Sequence, residues 1–136
     1  MALEEVPKKE VYKYGVVKAV EIEPDIYQIK DIVEKPRIED APSNLIVIGK
    51  YIITPDVMDV LGQIKPKKGG EIRLADAFKI LLAKKPIYGC RFQGTRYDCG
   101  DKLGFLKATV EYGLKHNEVG KEFEECPGPL VIYFDI

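Results

Sequence analysis

Apolar positions recur along this chain with two periods, and the switches between them predict its elements. Gly15-Val16-Val17-Lys18-Ala19-Val20 reads as a strand, Glu23-Pro24-Asp25 turns the chain, and Tyr27 to Glu34 alternates as a second strand ending before Pro36. The two predict a hairpin-like pair. Arg37 to Asn44 is polar and holds a proline, hence a loop, and Leu45 to Thr54 is a solid apolar run that predicts a strand buried on both faces at the centre of a sheet. Thr54 as N-cap and Pro55 at the first helical position predict a short helix over Asp56 to Gln63, ending near Gly62. A loop of lysines and glycines follows. Leu74, Phe78, Leu81 and Leu82 share one face of a helix expected over Glu71 to Lys85, which Pro86 stops. Ile87 to Phe92 returns as a strand, Gly94 turns, and Leu106, Val110 and Leu114 at i+4 steps predict a helix over Leu103 to His116 with Asp101 as its cap. Strands alternating with helices behind a hairpin predict an α/β fold with a mixed sheet flanked by helices.

Composition narrows the class. With 136 residues, 46% hydrophobic and 32% charged, the chain has the makings of one globular domain. Its 21 basic and 22 acidic residues nearly cancel, so no broad positive field serves sequence-independent nucleic-acid binding. No apolar stretch approaches the ~20 residues of a membrane helix, and Met1 to Glu10 is charged where a signal peptide is apolar, so a cytoplasmic protein is expected. Cys90, Cys99 and Cys126 show no close spacing and read as free thiols. The tail from Cys126 ends in the apolar run Leu130-Val131-Ile132-Tyr133-Phe134, which is expected to pair with a sheet edge or a partner chain.

Four segments hold chemistry suited to a phosphorylated sugar. Tyr14-Gly15 lets the backbone approach a ligand at the start of a strand. In Glu34-Lys35-Pro36, a carboxylate can accept hydrogen bonds from vicinal hydroxyls beside an ammonium that can neutralise a phosphate. Ser43-Asn44, with Val47 and Tyr51, offers short polar groups at the mouth of a strand. Tyr97-Asp98-Cys99-Gly100-Asp101-Lys102 places a carboxylate in a strand-to-helix turn, where it can hold a hard cation such as Mg²⁺. Each has a plainer alternative: Glu34-Lys35 as a solvated pair, Asp98 as a turn residue or cap, Glu71 and Asp76 at a helix start, Tyr14 and Tyr51 as packing residues. His116, near a helix C-terminus, is no candidate catalyst.

In this order the segments resemble the sugar nucleotidyltransferase superfamily, and most closely its bacterial UTP–glucose-1-phosphate uridylyltransferases. The residues that carry the resemblance are Lys13 to Val17, Val33 to Pro36, Ala41 to Leu45, Gly49 to Tyr51, Gly69 to Ala77 and Tyr97 to Gly104, spread from about Leu3 to Phe123. The resemblance implies the C-terminal half of a Rossmann-like nucleotidyltransferase domain, with residues 1–125 as a sugar-phosphate-binding half and 126–136 as an atypical apolar tail. It also implies roles. Gly15 and Val47 contact the sugar through their main chains, Glu34 binds its hydroxyls, Lys35 acts catalytically on its phosphate, and Asp98 is one of two aspartates on Mg²⁺. The implied reaction is attack by glucose-1-phosphate on the α-phosphorus of UTP, giving UDP-glucose and pyrophosphate.

The family's Gly-rich nucleotide loop and first metal aspartate have no counterpart here; Gly94-Thr95-Arg96 precedes Asp98 and belongs elsewhere. The chain is therefore expected to be inactive alone. Strand edges left open by a missing half are expected to drive homo-oligomer formation. The alternatives are a non-catalytic sugar-nucleotide-binding or assembly module, or a transferase using another nucleotide.

Overall fold

The structure is a computed structural model that describes residues 1–66 and 70–126; Lys67 to Gly69 of the lysine and glycine loop, and the apolar tail from Pro127 on, lie outside the described residues. The first strand, β1 (Ala2–Glu5), carries no periodic signal, because Leu3 alone turns a large apolar side chain inward and becomes fully buried. The predicted hairpin forms as β2 (Gly15–Glu23) and β3 (Ile26–Glu34), both longer than the apolar runs that announced them. Asp25 sits in its turn at φ 63°, a left-handed state that aspartate tolerates.

The long central strand expected over Leu45 to Thr54 is much shorter: β4 covers Leu45–Val47. Gly49, at φ 75°, takes the chain into the left-handed region and ends regular pairing, and Ile52 emerges 94% exposed. Helix α1 (Pro55–Gln63) starts where Thr54 and Pro55 predict, although Thr54 makes no side-chain cap bond; its hydroxyl donates to the Asp56 carboxylate instead. Helix α2 is Leu74–Leu82, shorter at both ends than expected. Arg73 is extended and its guanidinium lies 3.2 Å from Glu71, so Glu71 precedes the helix rather than starting it. Strand β5 (Ile87–Arg91) follows as expected.

These five strands form one mixed sheet that closes on itself in the order β1-β4-β2-β3-β5, with β1 and β5 parallel and the other neighbours antiparallel. Closure gives every strand two neighbours, so the open edges from which self-association was expected are largely absent here. The main core joins Leu3, Val17 and Ile29 of the sheet to Val57 and Val60 of α1 and to Phe78 and Leu81 of α2. Phe78 and Leu81 are 5% and 3% exposed, each contributing about 1.5–3 kcal/mol by burial. A smaller cluster of Val6, Val11, Val16 and Ile46 closes the opposite side.

The chain divides after Gln93 into two compact units. The second holds α3 (Lys102–Leu114) and α4 (Gly120–Glu124). Asp101 caps α3 as predicted, its carboxylate accepting from the Gly104 N–H at 3.0 Å. The i+4 apolar stripe does not become a core face: Leu106 is 59% exposed and Ala108 is the buried residue of α3. Among the described residues, no helix is long and apolar enough to cross a membrane. The three cysteines are free and exposed.

Candidate functional site

β2 lies between β3 and β4, so its first residue meets the last residues of both neighbours. Gly15 is the register partner of Glu34 on one side and of Val47 on the other. These three residues, widely separated in sequence, line one cavity of about 220 Å³. That is less than the roughly 300–1,000 Å³ of a drug-sized ligand cleft and suits a single polar ring better than a whole nucleotide. Lys13 and Tyr14 stand at its rim, and Tyr51 and Phe78 form an aromatic wall, their ring centroids 5.4 Å apart.

Glycine at position 15 has a steric reason. A Cβ built there would lie 3.0 Å from Glu34 Oε2, so the carboxylate occupies space that any side chain would contest. Burial, and secondarily the Glu34 charge, push the Tyr51 phenol above its ordinary pKa, which keeps it a neutral hydrogen-bonding group beside that carboxylate. Glu10, 3.5 Å from Lys13 Nζ, raises the pKa of that ammonium.

Lys35 is exposed and is not among the residues lining this cavity, although its neighbour Glu34 is. Its backbone is at φ 46°, uncommon for a residue with a side chain, and its N–H donates to the Tyr14 carbonyl at 3.0 Å. The bond ties the Glu-Lys-Pro segment to the Tyr-Gly segment. Ser43 is a brace rather than a ligand donor at the strand mouth: its hydroxyl donates to the Val17 carbonyl at 2.7 Å and accepts from the Leu45 N–H at 2.9 Å.

Asp98 belongs to the second unit. Its Oδ1 accepts from the Gly100 N–H at 3.0 Å and its Oδ2 lies 3.9 Å from Arg96. Gly104 is bound to the same turn, since a Cβ there would lie 2.1 Å from the Asp98 carbonyl oxygen. Among the described residues, no three His, Cys, Asp or Glu side chains group as metal ligands. One carboxylate already facing a guanidinium does not make a Mg²⁺ site by itself, so the residues of this chain do not fit that ion without further donors.

The sequence pointed to Gly15, Glu34 and Val47, offered Tyr51 as a polar group at the strand mouth with packing as its plainer reading, and gave Lys13 and Phe78 no role in the site. Phe78 read as core through its place on the apolar face of α2. Both readings are true; the aromatic pair is core on one side and cavity wall on the other.

The closed mixed sheet is backed by helices and holds a polar cavity where three strands meet, and the nucleotidyl transferase family pattern matches residues 1–114, so the chain belongs to that family. Its relatives within the family include UTP–glucose-1-phosphate uridylyltransferases. That of Staphylococcus epidermidis is 39% identical over 124 residues, covering 91% of this chain and 43% of the relative. A Methanocaldococcus jannaschii relative is 47% identical over 123 residues, covering 90% of this chain and 44% of its own. A crystal structure of UDP-glucose pyrophosphorylase complexed with UDP-glucose superposes with a TM-score of 0.78 at 48% identity, over 84% of this chain and 43% of that one. The chain thus spans less than half the length of the relatives it matches.

Proposed function

We propose that this chain supplies the sugar-phosphate-binding part of a UTP–glucose-1-phosphate uridylyltransferase. The observation that carries the reading is the convergence of Gly15, Glu34 and Val47 on one cavity of single-ring size, in a chain whose relatives are these enzymes. Glu34 accepts hydrogen bonds from vicinal hydroxyls of the glucose ring, and charge assistance makes these stronger than neutral ones. Gly15 brings the β2 backbone against the ring, and the Val47 main chain flanks it. Lys35, next to Glu34, supplies positive charge for the phosphate, and Lys13 adds a second ammonium at the rim.

The nucleotide is held by sequence that this chain does not contain, so binding of the sugar phosphate without turnover is the behaviour we assign to it alone. Asp98 would be the carboxylate offered to Mg²⁺, and further donors would be needed to hold the ion. Three free, exposed thiols suit a reducing compartment such as the cytoplasm.

Calorimetric titration with glucose-1-phosphate and with UDP-glucose tests the reading. Saturable heat that Glu34→Ala abolishes is expected. A folded chain that binds neither ligand, or a Glu34→Ala variant that binds both unchanged, would show the assignment to be wrong.

A further inference from the structure

Among the described residues two non-glycine residues have a positive φ, Asp25 at 63° and Lys35 at 46°. Asp25 sits in the hairpin turn, and its short polar side chain tolerates the left-handed state. Lys35 has no such help. Its Cβ disfavours that state, and Pro36 behind it pushes the preceding residue toward extended backbone. Two local rules therefore predict an extended Lys35, and the tertiary structure overrides both.

The override has a source on each side of the residue. On one side, the Lys35 N–H donates to the Tyr14 carbonyl at 3.0 Å, extending the grip of β3 on β2 one residue past the Gly15 and Glu34 pair. On the other, Pro36 is buried. Lys35 is the joint between a held peptide plane and a held ring, and the left-handed state connects the two. The held plane is the Glu34–Lys35 peptide, next to the carboxylate whose Oε2 lies 3.0 Å from the place of a Cβ on Gly15. For Lys35 to relax to extended backbone, one end must let go. A single hydrogen bond that water can replace yields before a buried proline ring. Glu34 would then turn with the freed peptide and leave its place over Gly15. We propose that Lys35 is a positioning residue through its backbone: its left-handed conformation aims the Glu34 carboxylate into the cavity, apart from any charge its ammonium supplies. In its consequence for binding, the proposal rests on the sugar reading.

Uncharged replacements in the full chain separate backbone from ammonium. Glycine enters the left-handed region freely, methionine meets the same Cβ cost as lysine, and β-branched isoleucine resists it further. Calorimetric affinity for UDP-glucose should be similar in Lys35→Gly and Lys35→Met and at least tenfold weaker in Lys35→Ile; Lys35→Thr, also β-branched, takes the place of Lys35→Ile if that variant does not fold. The Tyr51 phenol gives a readout that needs no sugar, because burial first and the Glu34 charge second raise its pKa. Followed by NMR, with Tyr51→Phe assigning the signal, that pKa should fall in Lys35→Ile toward its value in Glu34→Gln, while Lys35→Gly keeps it higher. A variant that merely loses stability would not move it. Lys35→Gly should also melt above Lys35→Ala, the reverse of the order at an ordinary position. A folded β-branched variant that binds as Lys35→Gly does, a Tyr51 pKa equal in the two, or Lys35→Ala melting above Lys35→Gly overturns the proposal. Failure of the sugar reading looks different: the parent chain itself then binds no UDP-glucose, and the Tyr51 and melting results still decide the role of Lys35.

Discussion

Gly15 and Glu34 are register partners across β2 and β3, with Glu34 Oε2 3.0 Å from the point where a Cβ on Gly15 would sit. The contact is with the far end of a flexible side chain, so Gly15→Ala should fold normally and displace the carboxylate instead. We expect glucose-1-phosphate affinity to fall about tenfold, about 1.4 kcal/mol, while the melting temperature stays close to that of the parent. Calorimetry and a thermal scan on the same sample check both halves; an unchanged affinity would separate Glu34 from the ligand.

Gly104 presents the opposite case. Its missing Cβ would meet the Asp98 backbone carbonyl at 2.1 Å, and a backbone atom cannot swing aside. Gly104→Ala should destabilise α3 by about 1–3 kcal/mol through overpacking. Asp101→Ala, which removes the cap, should cost ~1 kcal/mol. Amide exchange along α3 reads both, and the glycine variant should open it further.

Ser43 joins β2 to the start of β4 with one hydroxyl, donating to Val17 and accepting from Leu45. Ser43→Ala leaves two partly buried backbone groups without that partner, at a cost of about 1–3 kcal/mol in urea denaturation. Because Val47 hangs from the same short strand, sugar-phosphate binding should weaken as well. A variant with wild-type stability would show that water replaces the hydroxyl.

The hairpin turn predicts an acid limb. The Arg91 guanidinium, and after it the Gln93 amide, hold the Asp25 carboxyl below its ordinary pKa. A carboxyl depressed in the folded state stabilises the protein above its unfolded pKa, and that contribution is lost as pH falls through the folded value. Stability should therefore drop on acidification from about pH 4 downward. Asp25→Asn should flatten this limb only in part, because Asp56, lowered by Lys85 and Thr54, titrates in the same direction. Melting temperatures followed into acid decide it, and an unaltered limb in Asp25→Asn would remove Asp25 from its cause.

Much of this fold was legible in the chain because local chemistry and local structure agree. Pro24 and Asp25 make the hairpin turn, Pro55 opens α1, and Asp101 caps α3, each by an interaction within a few residues. The errors occurred where the signal was long-range. The apolar run after Leu45 is not one buried strand, because Gly49 turns it and Ile52 faces solvent within this chain. β1 is invisible locally because it is held by pairing with β4 and β5, not by its own pattern. The site divides in the same way: the residue types of Glu34 and Lys35 suggested sugar phosphate, but nothing local indicates that Tyr51 and Phe78 complete the wall.

The sequence by itself determined which residues are chemically able to bind a phosphorylated sugar, and the family to which they belong. Side-chain chemistry and short spacing are written directly in the order of the residues. Only the tertiary structure decided that Gly15, Glu34 and Val47 share a cavity while Lys35 lies outside its lining, and that Ile52 faces solvent. Those outcomes depend on strand register and sheet closure, which balance burial over the whole unit and are fixed only when distant segments pair.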